Sequence, residues 1–304
     1  MLQEIFYWIF NMSITATVTG ILVMLIRRIK KIPRRVTIFL WIIPFLRMVI
    51  PFGIDSPHSL MSLLSKFTTK TVVVYQPTNS LSFSMMNSIM AADSYFPITY
   101  KVDILEDIFG VAAVIWSIIT LAVLLMLAVT YFSTIYELRD ATCLTGRTYL
   151  SKKVLSPVVY GIVKPKIILP EAYQDRNYSI VALHETTHIR YLDNLWRLIA
   201  FVIVALHWFN PFCWLFFRAF LADMEFACDE RVICQLGAEL AGDYATALLE
   251  NSQGKTVFAS AFGGEKIRTR IENILSFRKM TWFSLAVFTA FLSVIFYALL
   301  TNAG

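Results

Sequence analysis

Ile180-Val181-Ala182-Leu183-His184-Glu185-Thr186-Thr187-His188-Ile189 is an HExxH pattern set in an apolar frame. On a helix, His184 and His188 stand at i and i+4. Both imidazoles then leave one face and can hold one zinc ion. Glu185 follows the first histidine, where its carboxylate can accept a proton from water and later hand it to a leaving amine. Ile180, Val181, Leu183 and Ile189 supply the apolar face, and Asn177 or Ser179 can cap the start. A helix-borne zinc site of a hydrolase is the first expectation. His58 and His207 have no such partner and read as an ordinary loop residue and a buried polar residue.

A catalytic zinc ion needs a third protein ligand and an open position. Downstream, Asp223-Met224-Glu225-Phe226-Ala227-Cys228-Asp229-Glu230 places Glu225 and Asp229 at i and i+4 of a second predicted helix. Glu225 can ligate the metal. Asp229 can accept a hydrogen bond from the outer nitrogen of a ligating histidine. Asp193, five residues after His188, can orient the site in the same way. Glu230 and Asp223 point elsewhere on that helix and read as surface groups. Tyr160, Tyr173, Tyr178 and Tyr244 are all candidates for stabilising an oxyanion, and the sequence leaves that choice open.

The surrounding composition belongs to a membrane. The 304 residues are 57% hydrophobic and 16% charged, against about 25% charged in soluble domains. Mean hydropathy is +0.63. Disordered chains are apolar-poor, so that class is excluded. Stretches 5–26, 36–52, 108–132 and 282–300 are each read as a transmembrane helix. The net charge of +6 is concentrated in the 27–35 loop, Arg-Arg-Ile-Lys-Lys-Ile-Pro-Arg-Arg, between two apolar stretches. That placement is a topology signal rather than a nucleic-acid footprint, and no direct nucleic-acid binding is expected. The 27–35 loop is therefore predicted cytoplasmic, with both termini and the 53–107 loop outside.

Three units follow: 1–132 with three spans, a cytoplasmic zinc metalloprotease domain at 133–281, and a fourth span with a short tail at 282–304. A further apolar stretch at 195–221 contains Arg197, Asn210-Pro211 and Arg218. It is read as two shorter helices meeting at Phe209-Asn210-Pro211. The four cysteines form no CxxC pair, so neither a disulfide framework nor a thiolate zinc site is expected.

Taken together, the HETTH motif with Asp193, the Trp208-Phe209-Asn210-Pro211 segment and the Glu225/Cys228-Asp229-Glu230 segment resemble the BlaR/MecR family of bacterial membrane metallopeptidases. Gly161 to Pro170 is similar to that family's GxxxPxIxLP segment, and Gly263 to Leu275 to its basic segment before the last span. The resemblance implies a membrane protein, mainly α, with about four transmembrane helices and a cytoplasmic α+β gluzincin-type protease domain. It implies His184, His188 and Glu225 as zinc ligands, Glu185 as general base and Asp229 as their support. It further implies a substrate-binding edge strand over 162–169, including Ile162, Val163, Ile167 and Ile168. Expected partners are the lipid bilayer of a bacterial cell membrane and a protein or peptide substrate, either the chain itself, cut within 256–277, or a cytosolic DNA-binding repressor. The penicillin-binding domain of the family's β-lactam sensors is absent from these 304 residues, so sensing by acylation is not expected.

Two other classes compete. A site-2-type intramembrane protease also carries HExxH, but its third ligand comes from an apolar LDG-type motif that this chain lacks. A non-catalytic signalling homologue has no chemical need for Glu185.

Overall fold

The computed structural model describes residues 2–29, 32–50, 55–56, 103–174, 177–252, 267–277 and 282–303. His58, the strand composition at 71–75 and residues 256–266 of the expected cleavage segment lie outside them. Helices dominate. α1 (Leu2–Ile26), α2 (Arg34–Leu40) and α3 (Ile42–Val49) open the chain. β1 (Asp55–Ser56) and α4 (Asp103–Glu137) follow. Next come four strands, β2 (Thr142–Thr145), β3 (Thr148–Ser151), β4 (Val158–Tyr160) and β5 (Lys166–Pro170). α5 (Ser179–Arg190), α6 (Asp193–Leu206), α7 (Pro211–Leu236) and α8 (Ala241–Ser252) carry most of the site. α9 (Ile267–Leu275), α10 (Trp282–Leu300) and β6 (Asn302–Ala303) close it.

Two helical runs, Leu2–Ile26 and Ile108–Asp140, are long and apolar enough to cross a membrane, and Ala286–Leu300 is a shorter apolar helix. Four spans are therefore not established by the described residues. Within the stretch expected to span at 36–52, residues up to 50 form two short helices that break at Trp41. Pro44 explains the break: it has no N–H to give the Leu40 carbonyl, so it is tolerated only in the first turn of a new helix. Arg47, in the same stretch, is buried and donates from Nε to the Leu299 carbonyl at 2.9 Å and from Nη2 to the Thr301 carbonyl at 2.5 Å. It thereby holds α3 to the C-terminal end of α10, where orphan carbonyls need donors.

The apolar stretch at 195–221 divides at residues 207–210, as its Asn-Pro pair predicts. Asn210 caps α7: its Oδ1 accepts from the Phe212 amide at 2.9 Å, and Pro211 fills the first helical position. The Asn210 amide also donates to Ser13 Oγ at 2.7 Å and Thr17 Oγ1 at 2.8 Å, which ties the break to α1. Ala16, Val23, Leu40, Trp41, Val204, Phe216 and Phe220 belong to the main apolar core between these helices.

The basic 27–35 loop docks on α7. Asp223 is fully buried and accepts from Arg27 Nε at 3.0 Å, Arg27 Nη2 at 2.9 Å and Trp41 Nε1 at 2.8 Å. Glu230 accepts from the Arg34 and Arg35 amides at 2.8 and 3.1 Å, capping α2. Neither acid is the surface group expected from helical spacing alone. The helix lies between other helices on more than one side, so few of its positions face water.

The small sheet has the order β2-β3-β5-β4, with β3 and β5 parallel and the other pairs antiparallel. Leu150, Val159, Ile167, Leu169 and Val181 pack it against α5. This places β4, an edge strand, beside the HExxH helix.

Candidate metal centre

α5 begins with an Asx turn, the Asn177 side chain accepting from the Ser179 amide at 3.0 Å. Four residues apart on it, His184 and His188 face each other with Nε2 atoms 3.2 Å apart. α5 ends at Arg190, and Leu192, which caps the start of α6, adopts the left-handed conformation at φ 56°. That turn starts α6 and returns Asp193 to its predecessor helix, where Asp193 Oδ2 lies 2.6 Å from His188 Nδ1. A carboxylate can only accept, so Nδ1 of His188 carries the proton and Nε2 is left for the site.

His184 is oriented from the other side. The Tyr244 hydroxyl, on α8, donates to Asp229 Oδ1 at 2.6 Å. It lies 2.8 Å from His184 Nδ1. With its one hydrogen committed to Asp229, the hydroxyl accepts from His184 Nδ1–H, and the Nε2 lone pair again faces the site. Burial and then Asp229 hold the Tyr244 pKa well above the phenolic value, so the hydroxyl keeps its hydrogen.

Glu225 on α7 faces both rings, with oxygens 3.8 Å from His184 Nε2 and 3.7 Å from His188 Nε2. Burial favours its neutral acid, but His188, Arg270 and Arg197 overcome that and hold its pKa well below the usual range. Burial drives His184 well below its ordinary value, with His188 and Arg270 adding to the effect. Burial also opposes protonation of His188, yet the Glu225 carboxylate and the Asp193 hydrogen bond hold its pKa well above 6.5. The two Nε2 atoms face one another where a cation would sit. Burial raises the Glu185 pKa, which suits a group that must both take and return a proton.

These donors fit a metal ion. Two nitrogens bound to one tetrahedral zinc stand about 3.3 Å apart, close to the 3.2 Å found here. Each ring has its outer nitrogen fixed, and an anionic carboxylate completes the set. Cys228 also lies in this group: His184, His188 and Cys228 offer atoms all within 4.8 Å of one another. Sequence spacing, which expected no thiolate zinc site, did not single out Cys228 as a neighbour of these histidines. Burial pushes the Cys228 thiol up to about 11, so it is neutral where Glu225 is charged.

A family model described as BlaR1 peptidase M56 matches residues 7–274. The chain belongs to this peptidase family. The regulatory protein BlaR1 of Bacillus licheniformis is 28% identical over 138 residues, covering 42% of this chain and 23% of that protein. The methicillin resistance mecR1 proteins of Staphylococcus aureus and Staphylococcus epidermidis are 30% identical over 87 residues, covering 27% of this chain and 15% of theirs. The matched segments are thus less than a quarter of those relatives' length. Membership of a BlaR1-type peptidase family, the apolar helices and the ligand-capable cluster together describe a membrane protein of metallopeptidase type.

Within this M56 chain the expected substrate strand is displaced. Ile167 and Ile168 lie in β5, an inner strand paired on both sides, and both are buried. Ile162 and Val163 lie in the bend between β4 and β5. The edges of the sheet are β2 and β4, and β4 is the one beside the HExxH helix. The sequence pattern marks apolar strands but does not show which neighbour covers them, and here β3 crosses over to pair with β5.

Among the four candidate tyrosines, Tyr244 serves His184 and Asp229, while the Tyr160 hydroxyl donates to the Tyr131 carbonyl. Tyr173 and Tyr178 pack against the sheet. Two arginines that the sequence reading did not single out as site residues hold Glu225 instead. Arg197 Nη2 is 2.5 Å from Oε1, and Arg270 Nη1 is 3.3 Å from Oε2. Arg270 also grips Asp229 through Nε at 2.8 Å and Nη2 at 2.7 Å. Arg270 is buried on the amphipathic helix α9, and a lone cation on the apolar face was the available signal. A cavity of about 650 Å³ opens on the site, lined by β4, His184, Glu185, His188, Arg197, Glu225 and apolar residues of α4, α6 and α7.

Proposed function

We propose that this chain is a membrane-anchored zinc-dependent endopeptidase of the gluzincin type, with its active site on the cytoplasmic side. The observation that carries this reading is the convergence of two oriented imidazoles and one anionic carboxylate beside Glu185 in a single cavity. His184, His188 and Glu225 would hold the metal. Glu225 is preferred to Cys228 because its two oxygens face both Nε2 atoms. A bound zinc ion would acidify water and polarise the scissile carbonyl.

The chain's own groups do the rest. Asp193 and the Tyr244–Asp229 pair keep both imidazoles in the ligating tautomer. The β4 edge offers backbone groups to an extended peptide. Glu185 takes the proton released as the water oxygen bonds to the carbonyl carbon. It then delivers that proton to the departing amine as the C–N bond breaks.

The role proposed is signal transduction by regulated cleavage of the chain itself, of a cytosolic DNA-binding repressor, or of both. Support comes from the regulatory and resistance names of the relatives and from the basic 27–35 loop, which favours the cytoplasm for that side. Four spans with both termini outside complete the proposal.

The test is expression of the wild type and Glu185→Gln in membranes, with zinc content and new protein termini measured by mass spectrometry. Equal zinc in both and fragments in the wild type alone are expected. A wild type that carries no zinc, or that never differs from Glu185→Gln in its fragments with repressor present, would overturn the reading.

A further inference from the structure

We propose that Arg197 is a catalytic residue that donates to the oxyanion formed when water adds to the scissile carbonyl. This rests on the endopeptidase reading above. Peptide hydrolysis develops a negative charge on the carbonyl oxygen, and sites of this kind provide a fixed donor there. The tyrosine hydroxyls that could do so are committed or packed elsewhere. The two arginines at Glu225 differ in what they have left to give.

Arg270 is buried, and its fork is used in full: Nε and Nη2 on Asp229, Nη1 on Glu225. It positions the two carboxylates. Arg197 is held at only two of its three nitrogens, by Glu225 at 2.5 Å and by Met224 Sδ at 3.2 Å from Nε. Its Nη1 has no hydrogen-bond partner among the described residues, the side chain is 36% exposed, and it lines the cavity.

Its place on α6 suits a substrate. One turn earlier, the Asn194 amide donates to the Val159 and Gly161 carbonyls at 3.1 and 3.3 Å, joining α6 to β4. Arg197 thus lines the same cavity as the edge strand while bonded to Glu225. Phe201, Phe217 and Leu221 line the same cavity. A guanidinium anchored on Glu225 beside an apolar wall stays charged and needs no reorientation.

The step balances without further reagents. The water oxygen bonds to the carbonyl carbon, its proton goes to Glu185, and the carbonyl oxygen gains the charge that Arg197 meets. Collapse restores the carbonyl, breaks the C–N bond and returns the proton to the amine.

The experiment uses the full chain, zinc-loaded in detergent, as wild type, Arg197→Met, Arg197→Lys and Glu185→Gln. Cleavage is read on fluorescein-labelled casein. Binding is read by calorimetry with N-phosphoryl-Leu-Trp, whose tetrahedral phosphoryl group mimics the oxyanion, and with N-acetyl-Leu-Trp, which does not. Arg197→Met should lower kcat about 10²–10³-fold with KM unchanged. It should weaken the phosphoryl compound by a similar factor, spare the acetyl compound and retain wild-type zinc. Arg197→Lys should recover part of both losses.

Wild-type affinity of Arg197→Met for the phosphoryl compound overturns the inference. So does loss of zinc in step with loss of rate, which would leave Arg197 acting only through Glu225. An active wild type matched by Arg197→Met removes this role alone, whereas a wild type no better than Glu185→Gln removes the peptidase reading itself.

Discussion

His184 and His188 shift in opposite directions in the metal-free site, His184 downward through burial and His188 upward through its charged neighbours, and this sets the pH behaviour. His188 has a raised pKa, so it contributes fully to metal-free stability below its unfolded value of about 6.5. That contribution disappears as pH rises through the higher folded value. Glu225 is the opposite case: its lowered pKa contributes above about 4.5 and is lost as pH falls through the folded value. Zinc must displace the His188 proton, so zinc affinity rises over the same alkaline range in which metal-free stability falls. Thermal unfolding with chelator and with zinc, from about pH 6 to 9, should show the two curves diverging; parallel curves would contradict the raised His188 value. Asp193→Ala removes the acceptor for His188 Nδ1 and should weaken zinc about 10–100-fold in chelator competition. His184, Glu185 and His188 were legible because one helix sets their spacing, and Glu225 with Asp229 for the same reason. Arg197 and Arg270 were not. A cation in an apolar run looks like a liability until the carboxylate it meets, contributed by a distant part of the chain, is in place.

α7 is the element on which the arrangement depends. Its 26 residues extend about 39 Å at 1.5 Å each. The first half packs among apolar helices and the second carries Glu225, Cys228 and Asp229. Between them, Asp223 binds Arg27 and Trp41. Asp223→Ala would leave a guanidinium and an indole N–H without their acceptor. A loss of about 3 kcal/mol is expected, at the low end for a buried pair because Arg27 is partly exposed. Equilibrium unfolding in detergent measures it. Gly20 of α1 makes a sharper test of helix packing. A Cβ there would lie 2.2 Å from the ring of fully buried Phe216. Gly20→Ala should cost about 1–3 kcal/mol by overpacking; wild-type stability would mean that the ring can yield. The sequence marked α5, α7 and the apolar helices through periodicity and caps. It misplaced the sheet edge, because strand order depends on a crossover that leaves no local trace.

For the molecule as a whole, orientation is the testable quantity. Cys143 is exposed, whereas Cys213 and Cys228 are buried. With the 133–281 segment on the cytoplasmic side, a membrane-impermeant maleimide should label Cys143 in permeabilised cells and not in intact ones; labelling of intact cells would reverse the topology. Hydropathy and the basic loop made a membrane protein legible, but the number of spans was not, since Pro44 and Asn210-Pro211 divide apolar stretches that length alone would pass. The docking of 27–35 on α7 also has a practical consequence. A piece cut to 133–281 would leave Asp223 and Glu230 without Arg27, Trp41 and the α2 amides, and would strip the apolar cover from Phe216. Inhibitor screens against this site therefore need the entire chain in detergent or bilayer, because the soluble fragment that hydropathy suggests is not a unit that can be lifted out.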